Sequence, residues 1–208
     1  MKIVIPTCDK YAHTIPAHIH FLRKLWPQCP YDVIVITNEE NIDVDATVIK
    51  LGKDLGFADN LHLFLRHHMH DELMMLCLDD LIPVEIYPRR IARALAALTE
   101  DSSVCMVRLS KRFTTKGTPY KRDALFVRMA KDNPFLFSQK GTIWQTGVFR
   151  RLLRRHATPW TAERIGAERA KSVKGKFLGA TKPILVQRNW FTHGKRDKKT
   201  TIWIRENW

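Results

Sequence analysis

The stretch from Leu73 to Val84, LMMLCLDDLIPV, constrains this chain more than any other. Six apolar or small residues, Leu73 to Leu78, run straight into Asp79 and Asp80. Such a run, with no polar alternation, marks a strand covered on both faces, as in a parallel sheet flanked by helices. Open α/β sheets bind ligands beyond the carboxyl ends of their strands. Two carboxylates at that edge suit a hard divalent cation and, through it, phosphate oxygens. The same pair also reads as a cap ahead of a turn closed by Pro83.

The rest of the chain supplies partners for such a strand. Lys2 to Pro6 is a short apolar strand, and Thr7-Cys8-Asp9 follows it. Thr7 and Asp9 therefore share an edge with Asp79 if the two strands are parallel. Ile15, Ile19, Leu22, Leu25 and Trp26 recur with a helical period, and Pro27 and Pro30 end it. Strands are expected over 31–37, 46–51, 104–109, 125–129 and 184–187. Helices are expected from Leu61 to about His70, over 87–98, over 142–156, and from Pro159. Thr201 to Ile204 is either an edge strand or a last helical turn. Strand and helix alternate through short links, which predicts an α/β fold with a mixed, mainly parallel central sheet. His67, His68 and His70 resemble a metal cluster, but the adjacent pair point apart on a helix. The four cysteines form no close pair and read as free thiols in a reducing compartment.

A chain of 208 residues buries one full core, so a single domain over 1–208 is expected. No stretch approaches the ~20 apolar residues that span a bilayer. MKIVIPTCDK is too soon charged for a signal peptide, which predicts a cytoplasmic protein. The charge is uneven. Residues 1–100 hold 10 Lys and Arg against 14 Asp and Glu, a balance of −4; residues 101–208 hold 25 against 7, or +18. A half this basic predicts a polyanionic partner, nucleic acid or anionic head groups; ordinary solubility is the plain alternative. The candidate contacts are Lys111, Arg112, Lys116, Lys121 and Arg122 in one loop, and Arg150, Arg151, Arg154 and Arg155 on one helix. Lys171 and Lys174 form a third group with Lys176, and Arg196 belongs to a fourth with Lys195, Lys198 and Lys199.

Read in order, several pieces resemble nucleotide-sugar-dependent glycosyltransferases of the GT-A type, most of all small bacterial and phage members. They are IVIPTCDKYA, YDVIVITN, GKDLGFADNLHLFL, LMMLCLDDLIPV, MVRLS, FLFSQKGTIWQTGVFRRLL, PWTAERIG and THGK. The resemblance implies a Rossmann-like nucleotide-sugar half, 1–100, and a basic acceptor half, 101–208. It implies Mn2+ or Mg2+ bridging the diphosphate of a donor such as a UDP-sugar. Asp79 and Asp80 match the acidic metal motif, with Asp80 the direct ligand, and His193 matches a late histidine that completes the metal shell. Thr7 matches a position beside the nucleoside and Asn60 one near the donor, where a helix cap is equally suitable. Glu163 matches the acidic residue beside the acceptor. Ala162 stands where the family has an aromatic, and the aromatic usually found before Asn60 is displaced to Phe57.

The chemistry asks for the same residue types. A leaving diphosphate needs its charge neutralised, by metal and by cations such as Arg108 or Lys195. Glu163 is the candidate base for the acceptor hydroxyl; a helix N-terminal charge is its structural alternative. The excess of positive charge favours DNA as acceptor, a 5-hydroxymethylpyrimidine in phage DNA flipped from the duplex, in host cytoplasm. The runner-up is synthesis of lipopolysaccharide, capsule or another surface glycan at an anionic membrane face. A third reading is a non-catalytic nucleic-acid binder on a transferase fold, against which the LDD motif, Glu163 and His193 argue.

Overall fold

The computed structural model of the protein describes residues 1–111, 117–192 and 194–208. The first part of the chain forms β1 (Lys2–Pro6), α1 (Ile15–Leu25), β2 (Val33–Thr37), β3 (Thr47–Lys50), α2 (Phe57–His67) and β4 (Leu73–Leu76). β5 (Leu81–Ile86), α3 (Pro88–Thr99), β6 (Val104–Arg108), β7 (Gly117–Pro119), β8 (Phe126–Met129) and β9 (Thr142–Gln145) follow. The remainder forms α4 (Thr146–Leu152), α5 (Pro159–Ala170), β10 (Lys176–Ala180), β11 (Leu185–Asn189), β12 (Phe191–Thr192), β13 (Lys195–Arg196) and α6 (Lys198–Asn207).

Among the described residues one nine-stranded sheet runs in the order β3-β2-β1-β4-β9-β6-β10-β8-β7. β1 to β4, β6 and β10 share a direction, and β9 lies antiparallel between β4 and β6. This is the mixed, mainly parallel Rossmann-like sheet expected of a GT-A-like fold. Alternation along the strands sorts side chains into two cores. Ile3, Ile5, Val33 and Val35 join Ile19 and Leu22 of α1 and Ile91 and Leu98 of α3 on one face. Val4, Ile34 and Ile36 join Leu61 and Phe64 of α2, Phe149 of α4 and Ala162 of α5 on the other.

Several boundaries differ from expectation, each for a tertiary reason. The helix expected from Leu61 starts at Phe57, after a loop that Asn60 and Asp54 pin by accepting from the Leu55 and Gly56 amides. Pro83 lies inside a strand: β5 leaves the main sheet and, among the described residues, pairs only with β11, where a missing N–H is tolerated. The helix expected over 142–156 is a strand for its first four residues. Ile143 and Trp144, both fully buried, are apolar because they face opposite cores. No strand is expected at β10, which pairs with β6 and β8. Among the described residues no helix is long and apolar enough to cross a membrane.

Candidate active site

β1 and β4 are hydrogen-bonded neighbours, and the turn after β4 carries Asp79 and Asp80 beyond their carboxyl ends. The Thr7 hydroxyl, one residue past β1, donates to Asp79 Oδ2 at 2.5 Å. The turn is fixed from behind: the Cys77 amide donates to the Val4 carbonyl at 3.0 Å, and the Trp190 amide to the Asp80 carbonyl at 2.7 Å. Burial pushes the Asp79 carboxyl up to about 7; the Thr7 hydrogen bond opposes this and the neighbouring Asp80 charge adds to it. Burial also raises Asp80, with the Lys140 ammonium pulling the other way. Beneath them His18 of α1 is fully buried against the Asp79 main chain, and burial holds its imidazole down to about 4, hence neutral.

Asp79 keeps its proton to higher pH folded than unfolded, so its contribution to stability is present at low pH and lost as pH rises to its folded value. The difference in thermal midpoint between metal-free wild type and Asp79→Asn is expected to move against wild type from about pH 4 to pH 7, then level off. Calorimetry across that range checks it, and a difference independent of pH would show that Asp79 is an ordinary exposed acid.

Glu163 is brought to the same neighbourhood by a second segment. Thr158 caps α5 in a reciprocal box with Thr161, and Pro159 opens the helix. Gly166 has no side chain to keep α5 off the Phe137 ring. At that close approach Glu163 Oε1 accepts from the Gln139 amide at 3.1 Å and the Ser138 hydroxyl at 3.5 Å, while Gln139 Nε2 donates to the Pro159 carbonyl at 3.1 Å. Among the described residues Glu163 Oε2 has no hydrogen-bond partner. The next residue, Lys140, is the cation that acts on Asp80. Gly141, in the left-handed region at φ +57°, then turns the chain into β9. Ser138 to Lys140 therefore connects the acidic pair to the glutamate.

The other expected site residues have varied surroundings. Asp9 accepts from the Thr37 hydroxyl and the amides of Asn38, Glu39 and Glu40, and so shapes the loop after β2. Asn60 accepts from the Leu55 amide and donates to Asp54, as a loop pin. Arg108, at the end of β6, has no exposed surface and lies 5.6 Å from the Phe135 ring centroid. Lys195 is exposed on the β12–β13 hairpin, whose root at Trp190 bonds the Asp80 carbonyl. His193 lies outside the described residues, as do Arg112 and Lys116. Among the described residues no third His, Cys, Asp or Glu joins the pair as a metal ligand set. Lys140 and His18 were not anticipated. Lys140 lies in the FLFSQKGTIW piece, where a lysine before glycine marks a loop but not its target, and His18 is masked by the apolar face of α1.

The basic residues do not form one flank. Arg122 donates to the Glu100 carbonyl at the end of α3, on one side of the sheet. Arg150, Arg151, Arg154 and Arg155 belong to α4 and the turn after it, on the other side. Arg196 stacks on Trp190 and Phe191, Lys171 is paired with Glu168, and Arg155 with Asp59. Lys111, Lys121 and Lys174 are exposed. Among the described residues these basic groups therefore lie on both sides of the sheet.

No family model and no curated protein sequence matches the chain. Solved structures do. A mannosyltransferase from Pyrobaculum calidifontis in complex with GDP-Man and Mn2+ superposes with a TM-score of 0.60 at 18% identity, over 93% of this chain and 57% of its own. S. aureus TarS in complex with UDP-GlcNAc gives 0.60 at 14%, over 93% and 60%. Glucosyl-3-phosphoglycerate synthase from Mycobacterium tuberculosis, with Mn2+, UDP and glucosyl-3-phosphoglycerate, gives 0.55 at 14%, over 99% and 75%. The chain spans about 57–60% of the length of the first two. The fold is therefore the GT-A-like α/β fold found in nucleotide-sugar-binding glycosyltransferases.

Proposed function

We propose that this protein is a metal-dependent glycosyltransferase that moves a sugar from a nucleoside-diphosphate donor to a hydroxyl of a surface glycan or its precursor. The observation that carries the reading is the half-buried acidic pair Asp79–Asp80 at the carboxyl edge of β4, connected to Glu163 through Ser138 to Lys140. Two adjacent carboxylates, one pushed to about 7 by burial and by the other's charge, suit a cation that neutralises both. Asp80 and Asp79 would hold Mn2+ or Mg2+, which when bound offsets the charge of the departing diphosphate. Thr7 orients Asp79. Lys140 supplies a second positive charge beside Asp80. Glu163, held through Oε1, has Oε2 to take the proton of the acceptor hydroxyl.

The acceptor reading rests on the distribution of charge. A rod of DNA engages one continuous face, and the basic groups here are divided between two. The M. tuberculosis synthase carries a small anionic product on the same fold, which supports an acceptor of modest size over a duplex. The test is a transfer assay by mass spectrometry. UDP- and GDP-sugars with Mn2+ are offered alongside a bacterial surface-glycan precursor fraction or duplex DNA containing 5-hydroxymethylcytosine. Transfer to the glycan fraction is expected. Transfer to DNA alone would replace the acceptor, and no transfer with no nucleotide binding would overturn the whole reading.

A further inference from the structure

Among the described residues, the most exposed large apolar side chain stands one helical turn from Glu163. It is Trp160, 68% exposed. The other strongly exposed indole, Trp208, is covered on one face by the His20 ring, stacked at 5.2 Å between centroids. Trp160 has neither ring nor cation against it among the described residues, and its indole N–H has no acceptor there. Trp is ordinarily well buried, because its large apolar surface is costly to leave in water.

The backbone that carries this indole is fixed. Thr158 caps α5 and Pro159 opens it, so Trp160 lies in a first turn already held by the cap. Ala162, Gly166 and Ala170 take the buried face of the helix. Trp160 and Glu163, three residues apart, are separated by about 60° around the helix and about 4.5 Å along it. Helical side chains lean toward the N-terminus, so the Glu163 carboxyl reaches back over the turn that holds Trp160. Buried Gln139 ties that turn at both ends. Its amide donates to Glu163 Oε1, and its side chain donates to the carbonyl of Pro159, the residue before Trp160, both at 3.1 Å. Indole and carboxylate thus sit on one rigid unit, and Glu163 Oε2 has no partner among the described residues.

We infer that Trp160 is the platform for the acceptor, and that the acceptor group is a sugar ring, stacked by its C–H face on the indole while a hydroxyl meets Glu163 Oε2. The face of an indole is negative and attracts the partly positive C–H groups of a pyranose, and its N–H can donate to a hydroxyl at the ring edge. The contact carries no charge, so it selects a sugar over a bare phosphate or a lipid head group. The inference rests on Glu163 as the acceptor's base, and it narrows the surface-glycan reading to a glycoside rather than a polyol or lipid carrier.

Two measurements test it. The first needs no donor: saturation-transfer difference NMR with the methyl glycosides of glucose, N-acetylglucosamine and mannose, and with 5-hydroxymethylcytidine. Transfer to the ring C–H protons of at least one glycoside is expected. It should be lost in Trp160→Ala and kept in Trp160→Phe and Trp208→Ala. The second is Mn2+-dependent transfer to the surface-glycan precursor fraction. Trp160→Ala should raise the apparent KM for that fraction about tenfold, with kcat changed little. Trp160→Phe should recover most of the loss and Trp160→Leu little of it, while UDP affinity stays the same in all three. Glycoside signals that are absent from wild type or survive Trp160→Ala, or an unchanged KM with UDP binding intact, overturn the platform alone. A loss of UDP-sugar affinity with UDP unaffected would move the indole to the donor sugar, and signals from the nucleoside alone would assign it to a flipped base. Trp160-dependent glycoside signals with neither UDP binding nor transfer overturn the transferase reading alone.

Discussion

Replacing Asp80 by asparagine is expected to remove the metal dependence of nucleoside-diphosphate binding. Wild type should bind UDP or GDP tightly only with Mn2+ or Mg2+. Asp80→Asn should bind about a hundredfold or more weakly, close to metal-free wild type, because the cation contributes several kcal/mol of charge neutralisation. The expectation follows from the two half-buried carboxyls, each raised by desolvation. An amide has the same shape and no charge, so the turn held by the Trp190 and Cys77 amides should survive. Titration calorimetry of both proteins, with and without metal, measures it directly. Equal affinity in all four cases would remove the acidic pair from donor binding.

Glu163→Gln should act on turnover rather than on the donor. Its expected loss is ~10²–10⁴-fold, the usual contribution of a general base, with UDP affinity nearly unchanged. Glutamine retains an oxygen to accept from the Gln139 amide and the Ser138 hydroxyl, so the segment leading to Lys140 keeps its place. This separates base from brace. Glu163→Ala, which loses both, should also weaken donor binding through displaced Lys140. A glutamine variant with near wild-type turnover would leave Glu163 as a brace only.

Much of this arrangement can be read from residue order. The parallel strands and the helices α1 and α3 follow from runs and periods within ten or twelve residues, and so does the placement of Asp79 and Asp80. What escaped depends on distant pairing. The TIWQ segment has no local mark separating a doubly covered strand from a helix turn; only its place between β4 and β6 decides. KFLGA in β10 begins with a lysine and holds a glycine, so it carries no local strand mark, and Lys176 is paired with Asp101, 75 residues away. Asp9 accepts from the Glu39 amide, 30 residues away, a partnership invisible in one dimension, whereas Asn60 pins the loop just before its own helix. Charge had the same defect: a count of arginines does not reveal that the sheet divides them.

The antiparallel strand at the centre of the sheet also sets an order of assembly. β4, which leads into the acidic pair, has β1 on one side and β9 on the other, and β9 is followed outward by β6 and β10. During synthesis β4 leaves the ribosome about seventy residues before β9. Until then its apolar edge is unpaired, an exposure that favours association with other chains. The last partner of the central strands, β10, is made later still. The edge that carries Asp79 and Asp80 is therefore flanked on both sides only once the chain beyond residue 141 has been made, so the central sheet closes late.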